Sequence, residues 1–137
     1  MPSIIAISAK QLVEAAKQAI EEIPAVDAIK LLNDPNVVIV DLRDPRELHL
    51  EGKIPGSFHA PRGMLEFWID PASPYFKPVF GEDKKFVFHC AAGSRSALAA
   101  QTAQQMGLRP VAHIIGGMGA WKAAGGPVIM PDPDQKS

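Results

Sequence analysis

A chain of 137 residues with 47% hydrophobic content is sized for one domain around one core, with no need of covalent staples. Its 14 basic and 15 acidic side chains leave a net charge of −1 without any run of like charges, which argues against a nucleic-acid or membrane-surface partner. A single cysteine excludes an internal disulfide and a cysteine-rich zinc site, and His49, His59, His89 and His113 lack helix-spaced pairing, so neither a metal nor another cofactor is expected.

In chain order, Ser8 to Gln11 reads as a capping box, followed by Leu12, Val13, Ala16, Ile20 and Ile23 at helical spacing until Pro24 interrupts the pattern. A second short helix is predicted from Ala25 to Leu32, ending at the turn signal of Asn33 to Asn36. The β-branched run Val37 to Val40 then reads as a strand buried on both faces. A brief helix from Pro45 to Leu50, a turn at Ile54 to Gly56 and a short strand at Ser57 to His59 follow. Residues 60 to 84 hold Pro61, Pro71, Pro74 and Pro78 together with Phe67, Trp68, Tyr75, Phe76 and Phe80. That stretch is too aromatic for a disordered linker, and it is expected to fold over the core as a partly helical wall. Phe86 to His89 forms a strand, Ser96 to Met106 a helix stopped by Gly107, and Val111 to Ile115 a further strand. Gly116 and Gly117 turn the chain into a short helix through Trp121, and a tail begins near Pro127. Strands alternating with helices predict the α/β class: an open, mostly parallel sheet with helices on both faces. Function in such sheets gathers at the carboxyl ends of the strands, where Asp41 and Cys90 both fall.

The chemistry concentrates at Cys90. A lone cysteine commonly packs as a small hydrophobe, but a structural one does not call for the tight Ala91-Ala92-Gly93-Ser94 loop, Arg95 at the helix start and Ser96 just beyond. The loop amides, the positive end of the helix and Arg95 are expected to converge on the sulfur, favouring thiolate and cradling an anion at the same place. His89, next to it on the strand, should point to the opposite face and is read as a packed residue rather than a base. Asp41, Arg43, Asp44 and Glu47 read by themselves as a solvated turn with local salt bridges. Gly116 to Gly119 is no dinucleotide loop, since Lys122 stands where the third glycine is needed. Neither a Gly-Lys-Ser/Thr phosphate loop nor a Gly-x-Ser-x-Gly elbow occurs. Trp68 and Trp121 are read as core aromatics. No segment has the apolar length to cross a bilayer and no basic stretch leads into an apolar run, so a cytoplasmic location, which suits a free thiol, is expected.

Four ordered motifs resemble the rhodanese family of sulfurtransferases: Val40 to Asp44 with Glu47, Gly52 to Ser57, His89 to Ser96, and Gly116 to Trp121 with Gly126 and Pro127. Lys53 replaces a usual histidine and Ser57 a usual alanine. The resemblance implies one rhodanese-like domain over residues 1–137, with an N-terminal helical extension over about 1–24 and a short tail over about 128–137. It implies Cys90 as the nucleophile that carries sulfur as a persulfide, with the backbone of Ala91, Ala92, Gly93, Ser94 and Arg95 holding it. The partners implied are a small anionic sulfur donor and a thiol or cyanide acceptor, a protein thiol included. Asp41, Arg43 and Ser96 would support the loop, and Arg62 is a candidate anion contact. The six residues from Cys90 to Arg95 match the loop of sulfur-handling members, whereas related phosphatases and arsenate reductases carry one residue more. Arg95 at the loop's end resembles thiosulfate-type members. Two other readings stand beside this one: a sulfur-relay or binding module that docks a protein through Phe67 to Phe80, and a phosphatase or arsenate reductase of the same fold.

Overall fold

The computed structural model describes residues 1–131. Of the expected tail, residues 132–137 lie outside the described residues. Helix α1 spans Ala9–Ala19, opened by the capping box in which Gln11 N–H donates to Ser8 Oγ at 3.0 Å and Ser8 N–H donates to Gln11 Oε1 at 2.8 Å. The chain turns extended at Ile20 and forms strand β1, Glu21–Ile23, where the sequence pattern predicts only more helix. Ile20 and Ile23 sit at a spacing that fits either reading, and pairing with a neighbouring strand decides it. Helix α2 (Ala25–Ile29), β2 (Val37–Asp41), α3 (Pro45–Glu51) and β3 (Phe58–His59) come next. The aromatic stretch contains a 3-10 turn at Arg62–Met64, α4 at Leu65–Ile69 and a second 3-10 turn at Pro78–Gly81. The last elements are β4 (Lys85–His89), α5 (Ser94–Met106), β5 (Val111–Ile114) and α6 (Gly117–Ala123).

The strands form one parallel five-stranded sheet in the order β1-β5-β4-β2-β3. Alternation of side chains along each strand feeds a separate core on each face. Val40, Phe86, Phe88 and Val111 pack with Ala99, Ala100 and Ala103 of α5, Leu65 and Ile69 of α4, and Phe80. Ile39, Val87, Ala112 and Ile114 pack on the other side with Ala25 and Ala28 of α2, Met118 and Trp121 of α6, and Ile54. Phe86 and Phe88 are 1% and 0% exposed, each stabilising the fold by roughly 1.5–3 kcal/mol. The aromatic stretch walls one core: Phe80 stacks near Phe86 at 5.5 Å and meets Phe58 edge-on at 5.8 Å, while Phe67 and Tyr75 form an exposed edge-to-face pair.

Strand order places the site. From β2 the chain proceeds to β3 on one side, and from β4 to β5 on the other. The crevice between the carboxyl ends of β2 and β4 is therefore the topological switch point. Asp41 pairs in register with His89 there, and Cys90 is the next residue.

Candidate active site

Cys90 begins the turn from β4 into α5. Gly93, at φ +104°, closes that turn in the left-handed region, where an added Cβ would meet the Gly116 amide nitrogen at 3.2 Å. Helix α5 starts at Ser94, two residues earlier than its composition suggests, because this turn brings Ser94 and Arg95 into the first helical turn. Cys90 Sγ accepts from Gly93 N–H at 3.2 Å and Ser96 N–H at 3.4 Å, and donates to Ser96 Oγ at 3.6 Å. The backbone N–H groups of Ala91, Ala92, Ser94 and Arg95 have no acceptor among the described residues. Two are helix-start donors that no intrahelical carbonyl can satisfy. Of the loop amides expected at the sulfur, Gly93 alone reaches it at rest, and the Ser96 amide joins it from the helix.

Helix α6 fixes the loop from the other side. Met118 N–H donates to Cys90 O at 2.8 Å and Gly119 N–H to Ala91 O at 3.1 Å, so two loop carbonyls are turned away from the sulfur. Gly117 makes this approach possible: at φ +58° a Cβ there would lie 2.4 Å from Cys90 O. The price in accessibility is that Cys90 is only 1% exposed. Its sulfur is enclosed by its own loop. A pocket of about 340 Å³ adjoins the loop at Ala91 and is lined by Arg43, Glu47, Leu50, Met118 and Lys122 among others.

Of the acidic and basic residues past β2, Asp44 is exposed and pairs locally with Arg46, as in a solvated turn, but Asp41 and Arg43 are buried. Asp41 and Arg43 are 0% and 1% exposed, with the guanidinium donating to both carboxylate oxygens at 3.0 and 2.8 Å and to Gly52 O at 2.8 Å. Burial pushes the Asp41 carboxyl up, but the hydrogen bonds from Arg43, with the positive charge of Arg43 and of a protonated His89 beside it, outweigh this and hold the group below its ordinary range. His89 lies on the same face as Asp41, its Nε2 3.7 Å from Oδ2, and burial keeps its pKa below the ordinary value. Its Nδ1 is 3.4 Å from Cys90 O, and it makes no bond to the sulfur. His89 is thus a packed strand residue, as strand alternation requires.

The Arg95 charge faces Cys90 but is not free. It forms a two-pronged pair with Glu47 at 2.9 and 2.8 Å, which lowers the glutamate's pKa and raises the arginine's. Glu47 also completes the capping box of α3, accepting from Asp44 N–H at 2.8 Å. Arg62 pairs with Glu66 at 2.8 Å, at the start of the aromatic wall. Ser96, by contrast, is buried against the sulfur and continues into a chain the sequence reading did not single out. Its Oγ is 2.8 Å from His113 Nδ1, and His113 Nε2 is 2.9 Å from Glu22 Oε2. A histidine at the centre of the apolar Val111 to Ile115 run was the available signal.

Comparison with known proteins agrees with this geometry. The model of the rhodanese-like domain family matches residues 24–124. A thiosulfate:glutathione sulfurtransferase from Saccharomyces cerevisiae is 34% identical over 101 residues, which cover 69% of this chain and 70% of the yeast protein. Thiosulfate sulfurtransferase/rhodanese-like domain-containing protein 3 from Mus musculus is 32% identical over 96 residues, 66% of this chain but only 61% of the mouse protein's length. A solved structure from Rhodopseudomonas palustris, a protein of unknown function described as a possible tyrosine phosphatase, is 61% identical. It superposes with a TM-score of 0.91 over 94% of this chain and 99% of that one.

Proposed function

The chain belongs to the rhodanese-like domain family, and from that premise we propose that it is a thiosulfate sulfurtransferase acting through a persulfide on Cys90. The observation that carries this reading is the enclosure of the sulfur. Two amides already lie 3.2 and 3.4 Å from Cys90 Sγ, and the remaining loop amides have no acceptor among the described residues. The cradle is filled at the depth of the thiol itself, which suits one further sulfur atom better than a tetrahedral phosphoryl group.

Two half-reactions follow. The Cys90 thiolate attacks the outer sulfur of thiosulfate, the S–S bond of the donor breaks, and sulfite departs with the bonding pair. Negative charge then sits on the terminal sulfur of the persulfide, where the amides of Ala91, Ala92, Ser94 and Arg95 supply donors and the α5 dipole a favourable potential. Cyanide or a thiolate next attacks that terminal sulfur, and Cys90 leaves as thiolate. The yeast relative, a thiosulfate:glutathione sulfurtransferase, pairs the same donor with a thiol acceptor. The pocket beside Ala91, apolar at Leu50 and Met118 and cationic at Lys122, offers such an acceptor a route to the loop. Asp41 and Arg43 hold the neighbouring strand end rigid, and Arg43 forms part of the pocket wall. A reducing compartment such as the cytoplasm would keep the thiol free.

A second reading, an aryl phosphatase, is favoured by the similarity to the Rhodopseudomonas protein, a possible tyrosine phosphatase. Steady-state assays separate the two. Thiosulfate with cyanide or glutathione should give turnover that Cys90→Ser abolishes, while aryl phosphate hydrolysis should stay at background. Phosphate hydrolysis lost on Cys90→Ser, with no sulfur transfer, would reverse the assignment.

A further inference from the structure

Resting on the reading of Cys90 as nucleophile, we propose that Ser96, His113 and Glu22 form a proton relay that carries the Cys90 thiol proton away from its enclosed loop towards solvent. Cys90 is only 1% exposed, so direct transfer of its proton to bulk water is slow near neutral pH, yet the thiolate is the form that attacks the donor. The adjacent His89 is directed to the opposite face of the sheet and offers no acceptor to the sulfur.

Strand register builds the relay. Glu22 and His113 are register partners on β1 and β5, so their side chains lie side by side on one face, the face covered by α1 and α5. The first turn of α5 sets Ser96 between His113 and Cys90. The contacts run without a gap: Sγ to Ser96 Oγ at 3.6 Å, Oγ to His113 Nδ1 at 2.8 Å, and Nε2 to Glu22 Oε2 at 2.9 Å. Ser96 and His113 are both 0% exposed, whereas the Glu22 side chain is 29% exposed and opens to the surface.

Directions of donation are fixed by the chemistry of the ends. A carboxylate at Glu22 can only accept, so His113 carries its proton on Nε2, and burial, which lowers the His113 pKa, keeps the ring neutral at rest. Nδ1 is then the free acceptor and takes the Ser96 O–H; the competing acceptor, Gly93 O, is farther at 3.3 Å. Ser96 Oγ in turn accepts from the Cys90 thiol. When the relay operates, the S–H and Ser96 O–H bonds break while a new O–H and an Nδ1–H bond form. Serine ends unchanged, and the products are a thiolate and an imidazolium held by Glu22. The imidazolium then gives its Nε2 proton to the Glu22 carboxylate, which releases it to water and leaves the ring neutral. The charged groups that face His113 are Glu22 from β1, which favours the imidazolium, and Lys17 from α1, which opposes it.

Because the chain has one cysteine, iodoacetamide reports on this thiol alone. Alkylation rates would be measured across pH for the wild type, Glu22→Gln and His113→Asn. Asparagine can still accept the Ser96 hydroxyl but cannot take up a proton, and position 22 is partly exposed, so Glu22→Gln decides the matter if His113→Asn does not fold. Near neutral pH both variants should react about tenfold or more slowly than wild type, and all rates should converge at high pH, where hydroxide removes the proton. Neutral-pH rates equal to wild type would overturn the relay, as would a deficit that persists at high pH, since that reflects altered packing. A protein that shows the relay's pH signature but takes no sulfur from thiosulfate would instead sink the sulfurtransferase reading and leave the relay standing.

Discussion

At Arg95 a charge at the rim of the cysteine loop is balanced by Glu47, which engages both of its prongs. An incoming dianion competes with a carboxylate for the guanidinium. Removing the arginine alone therefore does two things: it deletes a donor and leaves Glu47 uncompensated beside the pocket. Arg95→Ala should raise KM for thiosulfate by about tenfold or more, the size expected for one charge-assisted hydrogen bond. The double variant Arg95→Ala with Glu47→Gln should recover part of that loss. Steady-state kinetics on the three proteins checks it, and a double variant no better than Arg95→Ala would show that Glu47 exerts no field on the donor. At this scale the sequence was informative about Cys90, Gly93 and Ser96 because they are neighbours in one loop. It was silent on Glu47 as the partner of Arg95, and on Glu22 with His113, because these meet only through strand register and long-range packing.

Among the elements, α6 has a role beyond packing Trp121: its first amides hold the Cys90 and Ala91 carbonyls, and Gly117 gives them room. Gly117→Ala places a Cβ 2.4 Å from Cys90 O at a backbone φ of +58°, against backbone atoms that cannot swing aside. We expect a destabilisation of about 1–3 kcal/mol, read by denaturant unfolding, together with loss of most sulfur transfer. Full activity in that variant would mean that the loop tolerates rotation of its peptide planes and that α6 does not orient it. Helices α1, α3, α5 and α6 were legible from capping boxes, Pro45, Gly107 and the Gly116-Gly117 turn, whose chemistry is local. Strand β1 was not legible, since three residues carry too little pattern and owe their conformation to β5. The aromatic stretch was legible as a wall over the core, but its individual turns were not.

For the molecule as a whole, burial of neutral His89 and His113 and of the ionised Asp41 ties stability to pH. Both histidines have folded pKa values below their ordinary 6.5, so the unfolded chain binds more protons beneath that value. Their contribution is fully present above 6.5 and is lost as pH falls through the lower folded values. Asp41, depressed below 3.8, adds a further loss on stronger acidification. Urea midpoints should accordingly fall as pH is lowered from neutral, and a midpoint that rises over that interval would contradict the neutral, buried histidines. If this fold holds a transferable sulfur on Cys90, intact mass spectrometry after incubation with thiosulfate will detect it. The protein should gain the mass of one sulfur atom, discharged by cyanide and absent in Cys90→Ser; no gain in the wild type, or an equal gain in the serine variant, would rule out a persulfide on Cys90.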